Sequence, residues 1–201
     1  MSDLALVTGA TGLLGSYLVE RLLDGGWDVR ALVRDPEQAR WLEETGATLF
    51  TGDITDSSSV MSAASGCSLV FHAAASVGVG TDWESFRLGN VEGTENVLQA
   101  SAASGARLVF VSTTGVFGQA RYREVPTDES VPLPKLPEHE VYGRSKQAAE
   151  RLVLEAHERG TAWTAIVRPS VMYGVRDRQF VPRIAPILQR GFFPLLGGGA
   201  S

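Results

Sequence analysis

The chain has 201 residues, 44% of them hydrophobic and 22 of them glycine, which suits one domain, or one domain and the start of another, with a sizeable core. Its formal charge of −5 offers no basic surface of the kind nucleic acid requires, and no apolar run approaches the roughly 18 residues of a membrane span. The single cysteine, Cys67, forms no disulfide within the chain and reads as a small buried apolar residue, and the residues ahead of the first strand lead us to expect no signal peptide. A cytoplasmic protein with neither nucleic-acid nor membrane partners, and no metal, is the expectation.

In chain order, β-rich apolar runs at 3–8, 28–33, 47–50, 68–72, 107–112 and 163–168 alternate with helix-period segments at about 12–24, 37–45, 57–64, 83–104, 139–159 and 178–190. Alternation of this kind predicts an α/β fold, a doubly wound parallel sheet of Rossmann-like type with helices on both faces. The first strand runs into Gly9, Ala10, Thr11, Gly12, Leu13, Leu14 and Gly15. Glycine at the first turn permits a sharp bend, the second lets backbone approach a pyrophosphate, and the third lets the helix pack closely on the strand. The spacing is G-x-x-G-x-x-G rather than the G-x-G-x-x-G of the usual fingerprint.

The second strand ends in Arg34, Asp35 and Pro36. An acidic residue here binds a ribose hydroxyl in NAD sites, whereas an arginine accommodates the 2′-phosphate of NADP. Asp35 reads better as a helix cap, since a proline suited to the first helical position follows it and Gln38 lies three residues on. Arg34 is then the 2′-phosphate candidate, with Arg30 or Arg40 as helpers, although arginine is abundant and a solvated Arg34 competes. NADP is the preferred cofactor and NAD the alternative. Residues 119–137, with four prolines, form the one long loop, a length more often functional than idle.

Tyr142-Gly143-Arg144-Ser145-Lys146 opens a long helical segment, and residues four apart share a helix face. An unperturbed tyrosine has a pKa of about 10, and a neighbouring cation favours the phenolate. Lysine is rare here: of 18 basic residues only Lys135 and Lys146 are lysines, which weakens the bland reading of Lys146 as a solvated charge.

Seven motifs in order, TGATGLLG, GDITD at 52–56, VFHAAA at 70–75, NVEGTENVL at 90–98, VSTTGVFG at 111–118, YGRSK and VRPSVMYG at 167–174, make the chain similar to extended short-chain dehydrogenases/reductases of the NAD-dependent epimerase/dehydratase type. Arg34 resembles the dihydroflavonol-reductase-like members, and 167–199 the 3β-hydroxysteroid-dehydrogenase-like members. The resemblance implies that Gly9, Thr11, Gly12, Leu13, Leu14 and Gly15 lie on the pyrophosphate and Arg34 on the adenosine ribose. Asp53 and Ile54 would flank the adenine, a turn residue being the lesser reading of Asp53. Ala73 and Ala74 would line the path to the nicotinamide ribose, whereas His72 reads as a strand-end histidine satisfied by backbone. Asn90 follows a helix that would cover the cofactor, and reads equally as a structural helix residue. Thr113 would polarise the substrate oxygen, Tyr142 would be the general acid/base, and Lys146 would lower its pKa and hold the ribose. Pro169, Ser170 and Val171 would contact the nicotinamide. His139 carries no implied role and reads as surface.

The resemblance implies a dinucleotide-binding domain at 1–170 and, at 171–201, the beginning of a substrate-binding region that is incomplete here, with Phe180, Ile184, Phe192 and Phe193 short of packing partners. The expected activity is hydride transfer between NADP(H) or NAD(H) and a carbonyl or secondary alcohol of a small-molecule substrate. Nucleotide-sugar epimerisation or dehydration on the same site, and a non-catalytic NAD(P)-sensing protein, are the alternatives. A homodimer through 83–104 and 139–159 is an analogy with the family.

Overall fold

The computed structural model describes residues 3–77, 82–118 and 128–191. The front of the expected long loop, 119–127, and Phe192 and Phe193 lie outside them. Six parallel strands, β1 (Leu4–Thr8), β2 (Asp28–Val33), β3 (Thr48–Thr51), β4 (Leu69–His72), β5 (Arg107–Val111) and β6 (Thr164–Val167), form one sheet in the order β3-β2-β1-β4-β5-β6. The helices between them are α1 (Leu13–Asp24), α2 (Pro36–Glu44), α3 (Ser57–Ala64), α4 (Trp83–Phe86), α5 (Gly93–Ser104) and α6 (Val141–Glu158), and α7 (Val181–Gln189) follows β6.

β1 is an unbroken apolar run because both faces of a parallel sheet are covered by helices. Its side chains alternate between two cores. Leu6 joins Val60, Val70, Val97 and Leu108 on one face, and Val7 joins Val19, Val29, Ala31 and Leu42 on the other. Phe110 of β5 meets Ala149 and Val153 of α6 in a third cluster. The order reverses direction between β1 and β4, so the loops leaving these strands diverge, and the crevice outside the strands' carboxyl ends is where such sheets bind ligands.

The reversal is stitched by a buried histidine. Thr8 and His72 are neighbours across β1 and β4, and His72 Nδ1 lies 2.7 Å from Thr8 Oγ1 while Nε2 lies 3.0 Å from Thr94 Oγ1. Thr94 gives its only hydroxyl proton to the Asn90 carbonyl, so Nε2 carries the ring proton and Nδ1 accepts from Thr8. Burial pushes the His72 pKa down to about 3, Lys146 adding to the effect, so the ring stays neutral. The expectation of a histidine satisfied by backbone is corrected: two threonine hydroxyls satisfy it.

The predicted helix over 83–104 is three pieces. Between α4 and α5, Arg87–Glu92 is wound as a π-helix, a rare winding associated with functional sites. A short 3-10 turn, Thr114–Phe117, follows β5. No helix among the described residues is long and apolar enough to cross a membrane. In α7 no residue is buried; the Phe180 ring ahead of it meets that of Tyr173, with centroids 6.2 Å apart.

Asp35 caps α2 as its sequence context predicts: Oδ1 accepts from the amides of Glu37 and Gln38 at 3.0 and 3.2 Å, and the Gln38 side chain donates back to Oδ2 at 2.7 Å. Asp35→Ala should therefore cost about 1 kcal/mol, a fall of about 2–4 °C in Tm. A thermal melt checks this, and an unchanged Tm would remove the cap from the account.

Candidate active site

The first turn after β1 is built from two glycines that nothing larger can replace. Gly9 has a left-handed backbone, φ +69°, and a β-carbon there would sit 2.6 Å from the Ala74 amide nitrogen. A β-carbon on Gly15 would sit 2.1 Å from the Gly9 carbonyl oxygen, so α1 starts in direct contact with the turn. Gly12 is the N-cap of α1 and supplies no capping side chain. The amides of the first helical turn have no partner within the helix, and Leu13, Leu14 and Gly15 face the crevice.

That crevice is a cleft of about 760 Å³. Gly9, Thr11, Gly12, Leu13, Leu14 and Gly15 form one end, Arg34, Asp53 and Ile54 the second-strand side, Ala73 and Ala74 the middle, and Tyr142 and Lys146 the far wall. The structure thus brings thirteen of the predicted residues to one surface. Asp53 serves the turn as well, accepting from the Thr55 amide and hydroxyl at 2.9 and 2.8 Å.

Lys146 is 1% exposed. Its Nζ donates to the Val111 carbonyl at 2.7 Å and sits 4.1 Å from the centre of the Phe110 ring. Burial pushes its pKa down to about 7, with the Glu150 carboxylate pulling upward. Glu150, one helical turn further and also 1% exposed, is held by Arg168 through two parallel hydrogen bonds of 2.9 and 2.8 Å, and the Arg168 guanidinium lies over Phe117 at 5.1 Å. This pair fastens α6 to the end of β6 and to the turn after β5. Tyr142 packs edge-on to Phe86 with centroids 6.3 Å apart. Burial raises its pKa, with no lowering from Lys146, whose Nζ donates to the Val111 carbonyl.

Other predicted residues fall outside the cleft. Thr113 caps the 3-10 turn, its Oγ1 accepting from the Gly115 amide at 3.1 Å, while its neighbours Val111 and Ser112 line the cleft instead. Pro169, Ser170 and Val171 do not line it either. The Pro169 carbonyl accepts from the Thr114 amide at 3.0 Å, Val171 is 63% exposed, and Met172 reaches the cleft in their place. Arg30 is committed to the end of α3, donating to the Ala63 and Ser65 carbonyls, and Arg40 pairs with Glu37 at the surface, so neither helps Arg34. His139 is exposed as expected.

Two further residues shape the cleft, Asn90 by contacts its sequence position did not reveal and Arg176 with no reading from the sequence. Asn90, in the π-helix, accepts from the Ser76 amide at 2.6 Å and donates to the Ser76 carbonyl and Ser145 Oγ at 3.0 and 2.9 Å. It ties the loop after β4, which lines the cleft, to α6. Arg176 comes to the cleft from the far side of β6 with a left-handed backbone, φ +75°. Its guanidinium pairs with Glu20 and lies 4.9 and 5.1 Å from the rings of Tyr17 and Trp41, anchoring 172–179 to α1 and α2.

A glycine-turned crevice at the reversal of a parallel sheet defines a Rossmann-like α/β protein. A sequence profile described as NAD dependent epimerase/dehydratase family matches residues 5–200, and the chain belongs to that family, within the extended short-chain dehydrogenases/reductases. It is 37% identical over 194 residues to the 4-hydroxy-2-methyl-3-oxo-4-farnesyl-3,4-dihydroquinoline-1-oxide ketoreductase of Stigmatella aurantiaca, over 96% of this chain and 57% of that protein. It is 35% identical over 206 residues to the 2-alkyl-3-oxoalkanoate reductase of Stenotrophomonas maltophilia, over 98% of this chain and 59% of that protein. Among solved structures, a double mutant of the dTDP-glucose 4,6-dehydratase from Streptomyces venezuelae, with NAD bound, superposes with a TM-score of 0.79 at 27% identity, over 98% of this chain and 66% of that one. The chain thus spans under three fifths of the length of the two curated relatives.

A lysine whose folded pKa lies near 7, below its unfolded value, binds fewer protons folded than unfolded between these values. Stability should therefore rise with pH from about 7 towards 10, and the cost of burying the charge is greatest below 7. Lys146→Met should be at least as stable as the wild type at pH 7 and should lose that share of the rise. Denaturant melts of both proteins from pH 6 to 10 check it; parallel pH profiles would contradict a discharged Lys146.

Proposed function

We propose that this chain is the dinucleotide-binding part of an oxidoreductase that moves hydride between NADP(H) or NAD(H) and a carbonyl or secondary alcohol of a small organic substrate. The observation that carries the reading is the single cleft shared by the glycine turn and the Tyr142/Lys146 pair. The residues fit a dinucleotide: the α1 amides offer donors to a pyrophosphate, Gly9 and Gly15 hold the backbone flat against it, and the cleft lies at the sheet's reversal. The bound cofactor supplies the hydride chemistry. Tyr142 holds or releases the proton at its phenol oxygen as general acid/base. A phenol raised by burial needs a nearby cation to ionise near neutral pH, and Lys146, one turn along α6, supplies it when released from the Val111 carbonyl. Residues 1–170 form the dinucleotide-binding domain in this reading, and 171–201 begin the substrate-binding region.

The two curated relatives are named a ketoreductase and a 3-oxoalkanoate reductase, which favours a ketone carbonyl over nucleotide-sugar dehydration. Arg34 lines the cleft at the strand end while the Asp35 carboxylate is taken by the α2 cap, which supports NADP(H) over NAD(H) through charge-assisted contacts.

Two linked measurements test this. Titrating both cofactors into wild type and Arg34→Asp should show tighter NADP(H) binding that the substitution abolishes; equal wild-type affinities would remove the preference. In protein carrying the whole substrate-binding region, Tyr142→Phe should lower turnover by about 10²–10⁴-fold and leave cofactor affinity nearly unchanged. Near-normal turnover would instead support a non-catalytic dinucleotide-sensing role.

A further inference from the structure

Ser112 presents a polar group that the folded chain does not use. It is 3% exposed, it lines the cleft, and its Oγ has no hydrogen-bond partner. The hydroxyls around it are all engaged: Thr113 Oγ1 accepts from the Gly115 amide, Ser145 Oγ donates to the Tyr142 carbonyl at 2.7 Å, and Thr8 and Thr94 serve His72. The Ser112 backbone is fixed, because its amide donates to the Val167 carbonyl at 2.8 Å and extends the β5–β6 pairing. The residue before it, Val111, receives the Lys146 ammonium. A buried hydroxyl left unsatisfied is costly, and in native structures such a group calls for an explanation such as a functional role, an ion or an ordered water.

We propose that Ser112 is a cofactor-binding residue: its hydroxyl hydrogen-bonds the nicotinamide-ribose end of the dinucleotide, beside Lys146. The inference rests on the cleft being a dinucleotide site. The ligand lying directly against the carboxyl ends of the strands is the dinucleotide, and a group this deep at the end of β5 is reached by that molecule rather than by a substrate stacked above it. Either a ribose hydroxyl or the carboxamide supplies the matching polar atom, since a serine hydroxyl both donates and accepts.

Ser112→Ala separates this role from a structural one. Removing an orphaned hydroxyl should leave the Tm of the ligand-free protein unchanged or slightly raised. Fluorescence titration with NADPH and NADH should give dissociation constants about 3- to 10-fold weaker than wild type, the loss of one neutral hydrogen bond. AMP, which fills only the adenosine half, should bind both proteins alike. Equal NADPH and NADH affinities in the two proteins would overturn the assignment while leaving the dinucleotide site standing. A fall in Tm, or AMP affinity reduced in step with the dinucleotides, would make Ser112 a structural residue. Wild-type protein that binds neither dinucleotide would overturn the site and, with it, Ser112's role.

Discussion

The arrangement depends on how closely three pieces of backbone meet where the sheet reverses. The turn after β1, the first turn of α1 and the loop after β4 converge on Gly9, and neither Gly9 nor Gly15 has room for a single added carbon. This closeness sets α1 end-on to the crevice, and the loop after β4 forms its other lip. His72 locks the same junction from beneath, spanning Thr8 of β1 and Thr94 of α5. Because its ring is neutral and fully enclosed, the lock is insensitive to pH across the physiological range. Asn90 then carries the constraint from the β4 loop to α6.

One face of α6 places Tyr142, Lys146 and Glu150 at successive turns. Burial works on these groups in opposite senses, lowering the pKa of the lysine and raising that of the phenol, while the Glu150–Arg168 pair satisfies a carboxylate that would otherwise be costly inside the protein. Lys146 meanwhile donates to a backbone carbonyl. A ligand that offers it oxygen atoms or negative charge would draw it back to the charged state, which couples binding at the strand ends to the state of the tyrosine.

Much of this was legible in the sequence for local reasons. Strand and helix positions follow from apolar runs and period, the roles of Gly9 and Gly15 from the chemistry of a tight strand-to-helix turn, and the Asp35 cap from Pro36 and Gln38 beside it. What escaped depends on partners far along the chain. Arg30 looked available for a phosphate until the end of α3, more than thirty residues on, claimed it. Thr113 and Ser112 are adjacent hydroxyls, and only the turn that follows decides which one caps backbone and which faces the cleft. The π winding around Asn90 has no periodic signature over six residues, and Arg176 reaches the cleft through contacts with Glu20, Tyr17 and Trp41 that no spacing encodes.

The chain's two lysines, Lys135 and Lys146, give the central claim a direct readout. Lys135 is exposed and Lys146 buried in the cleft wall, so an NMR spectrum of isotopically labelled lysine side chains contains one signal from each. Titrating NADPH at constant pH should shift the Lys146 ε-carbon signal in a saturable way and leave Lys135 in place. Saturable NADPH binding that leaves the Lys146 signal unmoved would show that the glycine turn and the Tyr142/Lys146 pair do not share one dinucleotide site.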